Sequence, residues 1–139
     1  MSRLQLALNV SDLDEAISFY SKYFDAVPAK VRPGYANFAI EDPPLKLVLI
    51  EGGKPGTINH LGVEVFTTDQ VRSKAEALAA KGLATEFEDR TTCCYAVQDK
   101  VWVDGPDATS WETYVVLEDV ESTDESGCCS ASATAETCC

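Results

Sequence analysis

The segments Gln5-Leu6-Ala7-Leu8-Asn9-Val10 and His60-Leu61-Gly62-Val63-Glu64-Val65 decide the fold of this chain. In both, large apolar residues alternate with smaller or polar ones, which is typical of a strand with one buried face. The second segment starts 55 positions after the first, and each precedes a stretch with helical periodicity. The chain therefore contains an internal repeat of βα units.

The helix that follows each strand has recognisable boundaries. The first shows one apolar face and should end before Pro28, while the second should end at Gly82, a residue suited to the position after a helix. The candidate N-caps are Ser11 or Asp12 for the first helix and Thr68 or Asp69 for the second. Both halves thus begin with the same strand–helix unit.

Extended segments follow each helix. They are predicted at 35–40 and 46–51 in the first half, with a weaker one at 29–32, and at 83–88, 93–98, 101–104 and 111–117 in the second. Each half is therefore interpreted as a β-α-β-β-β module. The predicted fold class is α+β, with both modules contributing to a cupped mixed sheet and the helices outside.

The chain divides into one domain and a tail. We place the domain at 1–118, with modules 1–52 and 57–118 joined by the Gly-rich segment Gly52-Gly53-Lys54-Pro55-Gly56. Residues 119–139 are rich in Ser, Thr, Ala and acids, without apolar periodicity, which predicts disorder.

The composition excludes several classes of partner. The chain has 139 residues and a net charge of −12, half of it contributed by the six acids and no bases between Glu118 and Cys139. Such a charge opposes binding to nucleic acid phosphates or to an anionic membrane surface. The sequence shows neither an export signal nor a membrane span, which favours a cytoplasmic protein with reduced thiols.

The cysteines occur only as adjacent pairs. Disulfide frameworks link distant segments, so this pattern does not predict one. The pairs are Cys93-Cys94, Cys128-Cys129 and Cys138-Cys139. Adjacent thiols suit a soft, thiophilic atom, and the four in the tail are candidates for metalloid capture.

Three side chains are candidate metal ligands. Residues two apart in a strand share a face, so Gln5 and His60 occupy equivalent inward positions of the repeated strands, and Glu112 faces inward in the closing strand. A His, a Glu and a third donor suit a divalent first-row metal and leave positions open for oxygen or substrate. A hydrogen-bonded, purely structural His60 is the alternative.

These features resemble the vicinal oxygen chelate superfamily, which includes glyoxalases and extradiol dioxygenases. The resemblance spans residues 2–117 and rests on the two modules, the ligand-type residue that opens each module, and Val101-Trp102-Val103-Asp104-Gly105-Pro106-Asp107 leading into Trp111-Glu112. Many members have four metal ligands. Here the last strand of the first module, 46–51, carries Leu or Val at the inward position, which disfavours a four-ligand, glyoxalase-type site.

A closer resemblance is to the organoarsenical carbon–arsenic lyases and the related cadmium-induced proteins. It rests on residues 32–40, 43–49, 60–65 and 92–103, above all on Cys93-Cys94 followed by Gln98-Asp99-Lys100-Val101-Trp102. The resemblance implies an Fe(II)-dependent dioxygenase that converts trivalent organoarsenicals such as methylarsonous acid, with O₂, to arsenite. It further implies that Gln5, His60 and Glu112 bind the iron and that Cys93 and Cys94 bind arsenic.

The cysteine pair raises a geometric requirement. Neighbouring residues of a regular strand face opposite sides, so two adjacent thiols can hold one atom only outside regular pleating. We therefore expect the segment 89–92 to be a loop that presents Cys93 and Cys94 to the iron. Tyr95, Tyr114 and Phe38 are candidates for the wall of the pocket.

Two alternatives stay open at this point. A non-catalytic protein that binds cadmium or arsenite would use the tail thiols equally well. An antibiotic-binding or glyoxalase-type protein would leave the cysteine pairs unexplained. Relatives with this fold often pair their sheets across a dimer, so a homodimer is also open.

Overall fold

The computed structural model describes residues 2–93 and 95–120. The elements are β1 (Arg3–Val10), α1 (Leu13–Tyr23), β2 (Lys30–Arg32), β3 (Tyr35–Ile40), β4 (Leu45–Glu51), β5 (Ile58–Glu64), α2 (Thr68–Ala80), β6 (Thr85–Cys93), β7 (Ala96–Asp104), a short 3₁₀ helix (Pro106–Ala108) and β8 (Ser110–Asp119). The predicted succession of two β-α-β-β-β modules is confirmed. Neither helix in these described ranges is long and apolar enough to cross a membrane.

All eight strands form one curled mixed sheet. Their order is β2-β3-β4-β1-β5-β8-β7-β6, so the first four belong to one module and the last four to the other. Within each module the first strand runs parallel to the last, β1 to β4 and β5 to β8. The modules join where β1 and β5 pair antiparallel, and the two opening strands therefore lie side by side at the centre of the sheet.

The helices cover the convex face of the sheet. Helix α1 packs on a cluster that includes Phe38, Leu47 and Leu49, and α2 packs through Val71 on Val101 and Val115. Along β1 the residues Gln5, Ala7 and Asn9 face the opposite, concave side and are buried. The alternation read from the sequence is therefore confirmed, and the concave face is where polar residues collect.

The ends of the helices are fixed by side-chain caps. Asp12 accepts a hydrogen bond from the backbone N–H of Glu15 at the start of α1, as predicted. At α2 the cap is Thr67, which forms a reciprocal capping box with Gln70, so the predicted caps Thr68 and Asp69 are wrong. Gly82 follows α2 with φ +83°, a conformation that favours glycine.

The strands of the second module differ from the prediction. Residues 89–92 are part of β6 rather than a loop, and the segments predicted at 93–98 and 101–104 are one strand, β7. The pairing of β6 with β7 is interrupted between Glu88 and Thr91, where Arg90 has φ +46°. This irregularity bends a long strand without ending it, which is why a polar, loop-like sequence can continue the hairpin.

Candidate metal centre and cavity

The three predicted ligands meet on the concave face. Gln5 lies on β1, His60 on β5 and Glu112 on β8, three adjacent strands of the sheet. All three are at least 97% buried. The Gln5 amide nitrogen Nε2 lies 2.9 Å from His60 Nε2 and 2.7 Å from Glu112 Oε1, and His60 Nε2 lies 3.3 Å from Glu112 Oε1.

These spacings suit a metal ion. A cation about 2.1 Å from each donor places neighbouring donors of an octahedral or similar site about 3 Å apart. Within residues 2–93 and 95–120, no set of three or more His, Cys, Asp and Glu side chains is grouped to hold a metal. A metal centre here would thus depend on Gln5, whose amide would have to rotate by half a turn so that Oε1, the atom an amide offers to a cation, takes the place of Nε2.

The charge of Glu112 also fits a cation. Burial by itself would raise the pKa of this carboxyl group, but the pKa is lowered to about 2, chiefly by the ammonium group of Lys100. Lys100 Nζ donates to Glu112 Oε2 at 2.9 Å, which leaves Oε1 directed at Gln5 and His60. Glu112 is therefore an ionised carboxylate whose orientation is fixed by a buried ammonium group.

Glycine at position 62 allows this convergence. Gly62 lies between Gln5 and Glu112 in the sheet register, and a Cβ atom there would approach Glu112 Cγ and its backbone oxygen to 2.9 Å. A contact under 3 Å with backbone forces a shift. The missing side chain is what allows Glu112 to reach the other two donors.

The register identifies the fourth position of the repeat. Glu112 pairs with Gly62 of β5, and the residue equivalent to Gly62 in β1 is Ala7, which pairs with Val48. Val48 is buried and lines the cavity next to the site. The first module thus has an apolar valine at the position where the second module has a carboxylate.

A cavity of about 230 Å³ opens from the metal centre. Its wall includes Gln5 and Glu112 at one end, Tyr114 and Gln98 along one side, and Asn37 along the other. Tyr114, a pocket candidate from the sequence, lies at this cavity. Its hydroxyl lies 3.3 Å from Glu64 Oε2, and Arg3 holds the other oxygen of Glu64 at 2.8 Å.

Two other pocket candidates are placed differently. Phe38 belongs to the core under α1 and does not line the cavity, so this prediction is wrong; in β3 the cavity-facing residues are Tyr35 and Asn37, and Phe38 has the opposite orientation. Tyr95 packs on Tyr35 with ring centroids 5.8 Å apart, against a small cluster of Ala7, Tyr35 and Val48, of which Tyr35 and Val48 line the cavity.

Of the two arsenic-binding candidates, the structure describes Cys93, which lies at the end of β6. Cys93 is the last residue of β6 and is 2% exposed, Tyr95 in the turn has φ +62°, and Cys94 lies outside the described residues. The backbone thus departs from regular pleating at Tyr95, in the turn that precedes β7. Cys93 is disulfide-bonded here, which differs from the expected reduced thiol.

Gln98 connects this turn to the cavity. Its Nε2 donates to the Cys93 carbonyl at 2.9 Å, while its buried Oε1 has no hydrogen-bond partner among residues 2–93 and 95–120. Gln98 was not among the residues predicted from the sequence, although it lies two positions before Lys100 in β7, and residues two apart in a strand share a face.

The tail cysteines Cys128, Cys129, Cys138 and Cys139 lie outside the described residues, as does the predicted tail from 121 onward.

The model of the Glyoxalase/Bleomycin resistance protein/Dioxygenase superfamily matches residues 3–113. This chain belongs to that superfamily. Its curated relatives include the cadmium-induced protein CadI of Mycobacterium tuberculosis, 61% identical over 88% of this chain and 81% of the relative. A trivalent organoarsenical cleaving enzyme of Thermomonospora curvata is 60% identical over 93% of this chain and 89% of the relative.

Solved structures of the superfamily show the same fold. An extradiol ring-cleaving dioxygenase from B. fuscum superposes with a TM-score of 0.63 at 22% identity, over 86% of this chain and 34% of that one. The Mn(II)-bound glyoxalase from Novosphingobium aromaticivorans gives a TM-score of 0.62 at 15% identity, over 89% and 43%. This superfamily member therefore shares its curled sheet with a dioxygenase and with a glyoxalase that was solved with Mn(II) bound.

Proposed function

We propose that this protein is an Fe(II)-dependent dioxygenase that cleaves the carbon–arsenic bond of trivalent organoarsenicals. The observation that carries the proposal is the meeting of Gln5, His60 and Glu112 within 2.7–3.3 Å at the end of a cavity. The relatives named as organoarsenical cleaving enzymes support the substrate class.

The proposed iron site fits the residues present. One amide oxygen, one imidazole and one carboxylate resemble the facial triads of non-haem Fe(II) oxygenases, with a neutral amide in place of one histidine. Val48 at the fourth position leaves coordination sites open. Fe(II) held there would supply the activation of O₂ and the oxidation of the carbon bonded to arsenic.

The reaction balances with O₂ as the only co-reactant. Methylarsonous acid and O₂ give arsenous acid and formaldehyde: the carbon–arsenic bond breaks, the methyl carbon is oxidised, and both oxygen atoms of O₂ are reduced and incorporated. The protein would contribute binding and orientation, which convert an encounter of separate reactants into a reaction within one site.

The cysteine pair would hold the substrate. Trivalent arsenic exchanges two hydroxyl groups for two thiolates with release of two water molecules, so reduced Cys93 and Cys94 would fix arsenic and leave its organic group free. The bond from Gln98 to the Cys93 carbonyl holds the start of this turn against the cavity wall. The organic group would then extend into the cavity toward the metal centre.

Paired variants test the proposal. Reduced, Fe(II)-loaded protein should consume O₂ and release arsenite from methylarsonous acid. His60→Ala should lose both bound iron and turnover, whereas Cys93→Ser should keep the iron and lose turnover. Iron-loaded, reduced protein that releases no arsenite would contradict the proposal and favour metal or arsenite sequestration.

A further inference from the structure

A chain of side-chain hydrogen bonds leads from His60 to the segment that joins the modules. His60 Nδ1 lies 2.7 Å from Asn59 Oδ1, and Asn59 Nδ2 donates to Asn9 Oδ1 at 3.0 Å. Asn9 Nδ2 donates to Thr57 Oγ1 at 3.0 Å, and the Thr57 hydroxyl donates to the Lys54 carbonyl at 2.6 Å. Three side chains, those of Asn59, Asn9 and Thr57, thus connect the imidazole to the backbone of the linker.

A β-bulge makes this chain possible. In the pairing of β1 with β5, Ala7 faces His60 and Leu8 faces Ile58, so Asn59 is an extra residue. In a regular strand, Asn59 and His60 would face opposite sides of the sheet. The bulge redirects Asn59 so that its side chain reaches both His60 and Asn9, an arrangement often found next to active sites.

The linker between the modules also contacts Asn9, a member of this series of hydrogen bonds. The backbone of Asn9 pairs with the backbone of Thr57 and Gly56 at 2.9 Å each. At Gly53, which has φ +63°, an added Cβ atom would lie 3.0 Å from the Asn9 side chain. The linker therefore packs directly on Asn9 and does not merely span the modules.

The direction of every bond follows from the last acceptor. A carbonyl oxygen can only accept, so the Thr57 hydroxyl donates its one hydrogen to the Lys54 carbonyl. The same hydroxyl must therefore accept from Asn9 Nδ2. Asn9 then presents Oδ1 to Asn59, and Asn59 presents Oδ1 to His60. His60 Nδ1 must consequently carry the hydrogen.

The other end of the imidazole agrees with this direction. A neutral imidazole has one hydrogen, so a protonated Nδ1 leaves a lone pair on Nε2. Gln5 Nε2 lies 2.9 Å from His60 Nε2, the distance of a donor facing that lone pair. If the hydrogen moved from Nδ1 to Nε2, Glu112 Oε1, which lies 3.3 Å from Nε2, would be in place to accept a hydrogen bond from it.

We infer that Asn59 is a positioning residue which, through Asn9, Thr57 and the Lys54 carbonyl, holds His60 in the Nδ1–H tautomer and keeps Nε2 free to bind a metal. The connection between the modules therefore prepares a ligand of the metal centre. The tautomer itself is independent of the proposed function, whereas the effect on metal affinity rests on the proposed metal site.

The tautomer can be measured directly because His60 is the only histidine of the chain. In metal-free protein labelled with ¹⁵N-histidine, NMR should show one imidazole with its hydrogen on Nδ1. Asn59→Leu removes the acceptor, and the hydrogen should move in part to Nε2, facing Glu112. The Kd for Co(II), used as a probe for N and O donors, should rise about 10–100-fold, as for other partners of metal-bound histidines.

A matched pair of variants tests the remote end. Thr57→Val removes the hydroxyl and should shift the tautomer and weaken Co(II) binding, whereas Thr57→Ser keeps the hydroxyl and should restore both. This pair decides the matter if Asn59→Leu does not fold. A wild-type Nε2–H tautomer, or Thr57→Val and Asn59→Leu proteins with unchanged tautomer, would overturn the inference. If both variants shift the tautomer as expected but the wild-type protein does not bind Co(II), the metal site alone is refuted.

Discussion

At the scale of single residues, the buried pair of Lys100 and Glu112 decides the charge of the metal centre. Lys100 is completely buried, its Nζ bonds Glu112 Oε2, and it lies over the rings of Trp102 and Tyr114 at 5.4 and 6.0 Å. Two charges withdrawn from water cost free energy that their mutual attraction must offset. Each partner is therefore tolerated only in the presence of the other.

Removing one partner of this pair should be costly. In Lys100→Met, Glu112 becomes an uncompensated buried carboxylate, and we expect the free energy of unfolding to fall by about 3–5 kcal/mol in urea titrations. The double variant Lys100→Met with Glu112→Leu should recover most of this loss, since it removes both charges. A single variant as stable as the wild type would show that the pair is not desolvated as described.

Val48 is the residue that separates this site from a four-donor site. Val48→Gln adds an amide oxygen at the position equivalent to Glu112, so metal binding should be retained while turnover with O₂ falls at least tenfold, because an open position is taken. Val48→Met adds length without a strong oxygen donor and should keep more activity. Equal activity of the two variants would contradict the assigned equivalence, and metal titration with activity assays measures both effects.

At the scale of elements, periodicity predicts the site well and strand ends poorly. The period-two pattern of β1 and β5 places Gln5 and His60 inward, and the repeat aligns them, so the convergence of the ligands could be predicted from local sequence. The misplacement of Phe38 has a simple cause: a six-residue strand buried on both faces, β3, carries no alternation that separates cavity from core.

The strand irregularities could not be predicted because they depend on partners distant in the sequence. The polar run 89–92 continues β6 only because its backbone pairs with β7 and Asp99 accepts a bond from the Arg90 backbone N–H at 2.7 Å. Likewise the bulge at Asn59 exists only against β1. Nothing in the residues themselves indicates either feature.

Asp99 joins three elements and should make stability depend on pH. Burial alone would raise the pKa of its carboxyl group, but bonds from Thr68 of α2 and from the Arg90 backbone, aided by Asp89 and Arg72, outweigh burial and lower the pKa. Because the folded pKa lies below the unfolded value of about 3.9, this stabilisation is complete above that value and is lost as the pH falls through the folded pKa.

The variant Asp99→Asn measures this contribution. At pH 7 we expect it to lower the free energy of unfolding by ~1–3 kcal/mol, as for hydrogen bonds to a charged group. The difference between wild type and variant should shrink as the pH is lowered below about 3.9. Chemical denaturation at several pH values checks this, and a difference that stays constant with pH would exclude the carboxylate charge as its origin.

At the scale of the whole molecule, the proposed metal centre lies where the modules meet. Gln5 comes from the first module, and His60 and Glu112 come from the second, while β1 and β5 provide the only pairing of strands between modules in the described ranges. The salt bridge of Lys30 with Asp119 at 2.6 Å and the bond of Lys30 to the Tyr95 carbonyl at 3.1 Å connect the modules a second time. A metal ion bound by residues of both modules should therefore stabilise the entire sheet.

Metal binding should raise the thermal stability of the folded chain. A ligand present at 100 times its Kd stabilises by about 2.7 kcal/mol, which corresponds to a Tm increase of roughly 10 °C for a domain of this size. We expect Co(II), or Fe(II) without oxygen, to give such an increase, with hydrogen-exchange protection gained in β1 and β5 together. His60→Ala should show no increase, and Gln5→Leu a smaller one, since only one donor is lost from the first module. Protection gained in β5 and β8 but not in β1 would show that Gln5 is not a ligand and that the centre belongs to the second module alone.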